Sequence, residues 1–164
     1  MMNFSTLGAA HGAAAIAALA FGLLVLAERK GTNAHRALGS AFVVAMVATN
    51  LTALGIYRLT GHFGPFHLLA LISLAMLARG VVAAIRRPPG WLATHYYCMA
   101  WSYLGLVSAA AAEVIARSPL MARFVHDSTD GMLVGLACVA AVLILGFFLV
   151  PGLQTRALAG VQER

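Results

Sequence analysis

Five apolar runs, each about long enough to cross a lipid bilayer, constrain this chain more than any other feature. A helical span needs about 20 apolar residues. The sequence supplies such runs at about 7–27, 37–57, 65–85, 92–116 and 132–150. Breakers separate them: Glu28-Arg29-Lys30-Gly31, the turn from Gly61 to Pro65, Arg86-Arg87-Pro88-Pro89-Gly90, and a polar stretch from Arg117 to Gly131. Hydrophobic residues make up 62% of the 164 positions and charged residues 10%. A soluble domain is roughly half apolar and a quarter charged, so one aqueous core cannot cover this much apolar surface. No run alternates with the period of a membrane barrel, and backbone in hydrocarbon must then be satisfied as helix. The expected fold is all-α and integral to the membrane. It is a four-helix transmembrane bundle plus a fifth transmembrane helix, forming a single transmembrane domain over residues 1–164.

Lysine and arginine set the expected topology. Arg29, Lys30, Arg36, Arg86, Arg87, Arg156 and Arg164 flank one side, against Arg58, Arg117 and Arg123 on the other. The positive-inside rule then puts the N-terminus outside and the C-terminus in the cytoplasm. The expected location is the bacterial inner (cytoplasmic) membrane, in a multi-pass arrangement. The first run lacks a basic N-terminal flank and reads as a span rather than a signal peptide. The net charge of +6 is a topology signal, not a nucleic-acid footprint; the lipid bilayer is the expected partner. Cys98 and Cys138 fall inside apolar runs and read as small hydrophobes.

Histidines inside spans are costly in lipid and therefore mark functional candidates. His11 lies on the first run and His67 on the third; His35 opens the second and His95 opens the fourth. His11 precedes Arg29, and His67 precedes Arg86, by distances that place both roughly 27 Å from the cytoplasmic edge. His35 and His95 both border that edge. The spacing thus pairs His11 with His67 in the outer layer and His35 with His95 in the inner layer. In a four-helix bundle these pairs join diagonal helices. Such a layout suits two b-type haems, each with two axial imidazoles. Arg79, one or two turns inside the cytoplasmic edge, is a candidate for a haem propionate or for Glu28. In its helix and histidine layout the chain is similar to the transmembrane dihaem cytochromes b of the ascorbate-reducing class, in spacing rather than in sequence.

Carboxylates open a second reading. Glu113 falls in the outer layer with His11 and His67, and two histidines with one carboxylate suit non-haem iron or zinc. An ion pair of Glu113 with Arg58 or Arg117 is the structural alternative. His35 and His95 read equally as residues bordering loops, and His62 and His126 as solvated surface. The small pair Gly8 and Gly12 reads as a helix-packing face, or as a face cut away for a flat cofactor. Tyr96, Tyr97, Trp101 and Tyr103 read as an interfacial belt, or as the lining of a quinone or porphyrin pocket.

Several segments carry a family resemblance: His35-Arg36-Ala37-Leu38-Gly39, Gly64-Pro65-Phe66-His67, His95-Tyr96-Tyr97-Cys98-Met99, and Trp101-Ser102-Tyr103-Leu104-Gly105-Leu106 running on to Glu113. From His11 to Arg117 the chain resembles a bacterial family of predicted membrane proteins of unknown function, the DUF2306 proteins. The resemblance implies no activity. It supports the choice of His11, His35, His67, His95 and Glu113. Many members carry basic residues after the fourth-helix histidine, where Tyr96 and Tyr97 stand here.

Three functions are therefore expected to compete. The first is a small haem-b protein for transmembrane or quinol-linked electron transfer. The second is a non-haem metal protein, acting as an enzyme or transporter. The third is an accessory subunit whose helices pack onto a larger membrane complex, with no chemistry of its own; the expected protein partners are another membrane protein or, as a homo-oligomer, further copies of this chain. No nucleotide loop, nucleophile elbow or HExxH motif is present.

Overall fold

A computed structural model describes residues 6–57, 61–116, 118–119 and 127–162. Arg58, Arg117, Arg123, His126 and Arg164 lie outside these, as does the side chain of Arg156. The described residues form five helices: α1 Thr6–Ala27, α2 Asn33–Leu54, α3 Pro65–Arg86, α4 Trp91–Ala116 and α5 Ser128–Gln162. Each contains a stretch long and apolar enough to cross a membrane. The protein is an all-helical, multi-pass membrane protein.

Local chemistry explains the helix ends. Thr32 caps α2, its Oγ1 accepting the His35 amide at 3.1 Å. This starts α2 four residues before the expected position 37, because Asn33 and Arg36 dilute the apolar signal without breaking the helix. Gly55 closes α2, its amide donating to the Thr52 carbonyl at 3.1 Å; the expected end was 57. Lys30 folds back on α1, and its Nζ donates to the carbonyls of Val25 (2.7 Å) and Leu26 (3.0 Å). These are orphan acceptors at a helix C-terminus, where a cation also favours the dipole. Burial pushes the Lys30 ammonium below the usual lysine value, with the Glu28 carboxylate pulling the other way. Beyond α3, Arg87 adopts a left-handed φ of 47° and its guanidinium lies 5.3 Å from the Trp91 ring centroid.

α5 departs most from expectation. The expected stop at Pro151-Gly152 does not occur, and the helix runs on to Gln162 with Pro151 inside it. Proline removes one amide and crowds the carbonyl four residues back, but neighbouring helices let membrane helices tolerate it. Beyond the proline, Gln154 Nε2 donates to the Ala93 carbonyl at 3.1 Å and ties the extension to the start of α4.

The chain divides into two compact units, Met1–Leu74 and Ala75–Arg164. In the first, α1 and α2 run antiparallel, with His11 near the start of one bonded to Thr49 and Thr52 near the end of the other. Ala14, Ala17, Ala41, Ala45 and Ala48 line the seam between them. In the second, α4 and α5 run antiparallel. Ala93 meets Gln154 at one end, and Leu104 fills the space above Gly146 further along.

Small residues share the interior with a few large ones such as Phe42, Met46 and Leu77. Ala18, Ala45, Ala70, Ala83 and Ala112 are buried, whereas Ile16, Val44, Ile85 and Phe148 are largely exposed. Lipid tails are as apolar as leucine, so large aliphatics gain little by turning inward, and small residues permit close helix approach. One close approach is at Gly80, where a Cβ would meet Met99 Cε and lie 2.9 Å from Cys98 Cβ. Gly12, expected on a packing face, has nothing within 4 Å of where its Cβ would stand.

Candidate functional site

His11 sits on the second turn of α1. Its Nδ1 lies 3.0 Å from the Thr49 carbonyl oxygen and 3.0 Å from Thr52 Oγ1. The Thr52 hydroxyl is itself a donor to the Ala48 carbonyl at 2.7 Å, so its oxygen accepts from the imidazole. A carbonyl can only accept. Nδ1 therefore carries the proton, and Nε2 presents a lone pair.

His95, five residues into α4, repeats this chemistry. Its Nδ1 lies 2.9 Å from the Gly80 carbonyl oxygen on α3. Again Nδ1 must be the donor and Nε2 the lone pair. An imidazole anchored through Nδ1–H to a backbone carbonyl is the usual posture of a histidine that ligates a metal through Nε2.

His67 has the opposite posture. It is the third residue of α3, and its Nδ1 accepts the Gly64 amide at 3.1 Å. Gly64 in turn accepts from the His67 amide at 3.0 Å. The imidazole supplies the returning half of a capping box, where glutamate or glutamine is usual, and the other bond is a backbone turn because Gly64 has no side chain. An accepting Nδ1 leaves the proton on Nε2, which is buried without a hydrogen-bond partner. The ring is 5% exposed, stacked on Tyr57 at 4.7 Å and tilted against Phe63 at 5.1 Å.

His35 is likewise third in its helix, partly buried, with its amide on the Thr32 cap. Glu113 is exposed near the end of α4. Arg79 lines a cleft in the second unit with Met76, Ala93, Thr94, Tyr97 and Gln154. Within each unit, among the described residues, no three His, Cys, Asp or Glu side chains gather where one metal ion would sit. The sequence reading missed the partners that orient His11 and His95. Each bonds a backbone carbonyl, which no residue type announces, and His11 adds the Thr52 hydroxyl.

No curated protein and no solved structure matches the chain. A family model described as a predicted membrane protein, DUF2306, matches residues 8–150, a stretch that takes in most of all five helices. With that much of its length covered, the chain belongs to the DUF2306 family of predicted membrane proteins.

Proposed function

We propose that this is a small haem-b-binding protein of the bacterial inner membrane that passes electrons across the bilayer or from a quinol. His11 with His67, and His35 with His95, are the residues that would hold the haems. One observation carries the reading: His11 and His95 each donate Nδ1–H to a backbone carbonyl, at 3.0 and 2.9 Å, and so hold Nε2 as a lone pair. That lone pair is what an axial imidazole contributes, and anchoring the far nitrogen raises its basicity. Gly12 and Gly39, beside His11 and near His35, have open space where a side chain would stand, which suits a flat macrocycle. Bound haem would supply a one-electron couple tuned by its axial ligands. The reading makes a demand on His67: to ligate through Nε2, its ring must give up the Gly64 amide and move its proton to Nδ1.

The accessory-subunit reading draws support from that same residue, since capping α3 accounts for His67 without any chemistry. A non-haem iron or zinc site on His11, His67 and Glu113 would also need a His67 nitrogen freed, either Nε2 after the same proton move or Nδ1 once the Gly64 amide is released. An optical spectrum of protein purified from haem-replete cells separates the three. Haem gives a sharp α-band on reduction that His11→Ala and His95→Ala weaken. A colourless protein holding stoichiometric zinc or iron supports the second metal reading. A colourless, metal-free protein that co-purifies with a membrane partner overturns both.

A further inference from the structure

Arg79 is the one arginine or lysine inside the apolar stretch of α3, seven residues before Arg86 at the helix end. At 1.5 Å per residue it lies roughly 10 Å inside that end. A guanidinium at such depth costs up to about 3 kcal/mol unless it snorkels or meets an anion. The acidic residues described in its own unit are Glu113, Asp127 and Asp130. All three stand at the far end of the antiparallel α4/α5 pair, away from the Ala93–Gln154 contact. Arg79 instead borders a cleft of about 250 Å³, walled by Met76, Ala93 and Cys98 and edged by Thr94, Tyr97 and Gln154. Gln154 is fixed there by its bond to the Ala93 carbonyl. The cleft thus has a cation, hydroxyl and amide groups at its rim, and apolar walls. Arg86 and Arg87 stand at the helix end toward which Arg79 would reach.

We propose that this cleft binds the phosphate of an anionic phospholipid, with Arg79 as its ion partner and the acyl chains along the apolar walls. The inference is independent of haem binding. Basic clefts between transmembrane helices on the cytoplasmic side are suited to such headgroups, and a bidentate guanidinium–phosphate contact gives the interaction direction.

The test uses the full-length protein in detergent, with phosphatidylglycerol and phosphatidylcholine as probes and native mass spectrometry as the readout. Wild type should retain phosphatidylglycerol roughly fivefold over phosphatidylcholine, the equivalent of about 1 kcal/mol for one basic residue near the surface. Arg79→Gln should bring the two close to parity. Arg79→Lys should keep most of the preference, which separates charge from folding. Equal retention by wild type, or an unchanged preference in Arg79→Gln, overturns the proposal. So does equal occupancy by inorganic phosphate, which would make the ligand a soluble anion. A preference that survives Arg79→Gln while haem content falls overturns it too, because the cleft would then serve a cofactor carboxylate.

Discussion

The His95 imidazole donates from Nδ1 to the carbonyl oxygen of Gly80, 2.9 Å away on the preceding helix. The bond forms where Gly80 lets α4 come close enough for Cys98 and Met99 to occupy the space of a missing side chain. One small residue therefore fixes both a helix crossing and the tautomer of a histidine.

The tautomers are the first measurable consequence. His11 and His95 should be Nδ1-protonated, and His67 should be Nε2-protonated, because Nδ1 faces carbonyls in two cases and an amide in the third. Nitrogen chemical shifts of histidine-labelled protein distinguish the two forms. Finding all three histidines in one tautomer would contradict the assigned hydrogen bonds.

Three glycines should respond differently to alanine. Gly80→Ala sets a Cβ against Cys98 Cβ at 2.9 Å, a rigid position, as well as against Met99. It should cost about 1–3 kcal/mol, as overpacking does. Gly146→Ala meets mainly the flexible end of Leu104 and should cost less. Gly12→Ala meets nothing within 4 Å and should stabilise α1 by up to about 1 kcal/mol through helix propensity. Thermal unfolding in one detergent ranks them. Gly12→Ala proving the worst of the three would refute the packing described for these positions.

Most of the fold was legible because bilayer length is written directly into apolar run length. α1 and α3 begin and end within one residue of the expected limits. The extension of α5 past Pro151 was not legible, because proline reads as a stop and the contact beyond it, the Gln154 bond to Ala93, joins residues far apart in sequence. The early start of α2 was hidden for a local reason: its cap is Thr32, five residues ahead of the apolar run. For the site, residue type pointed to the four histidines, but a histidine names neither its tautomer nor its neighbour. His67 shows the consequence, since its place as third residue of α3 gives it a capping role that depth in the membrane did not suggest.

Orientation is set by the loops. Arg29, Lys30 and Arg36 flank the α1–α2 turn, and Arg86 and Arg87 the α3–α4 turn. Both turns should face the cytoplasm. A phosphatase reporter fused after Arg164 should be inactive, and one fused between α2 and α3 active, since phosphatase folds only outside. The reverse pattern would invert the topology.

His67 offers the sharpest division between a structural and a chemical role. As a cap, it needs only an acceptor that reaches back to the Gly64 amide, and glutamine in the same position can supply one. His67→Gln should then unfold within about 0.5 kcal/mol of wild type, while His67→Ala should lose about 1 kcal/mol, the usual cost of a missing cap. As an axial ligand, by contrast, histidine has no substitute in glutamine. Both variants should then lose the same cofactor absorbance whatever their stability. Measuring unfolding and the reduced α-band on the same two samples separates the roles. Loss of absorbance in both variants assigns a ligand. Absorbance unchanged in both, with only the alanine variant destabilised, assigns a cap. In that case His11 must find its axial mate elsewhere, or have none.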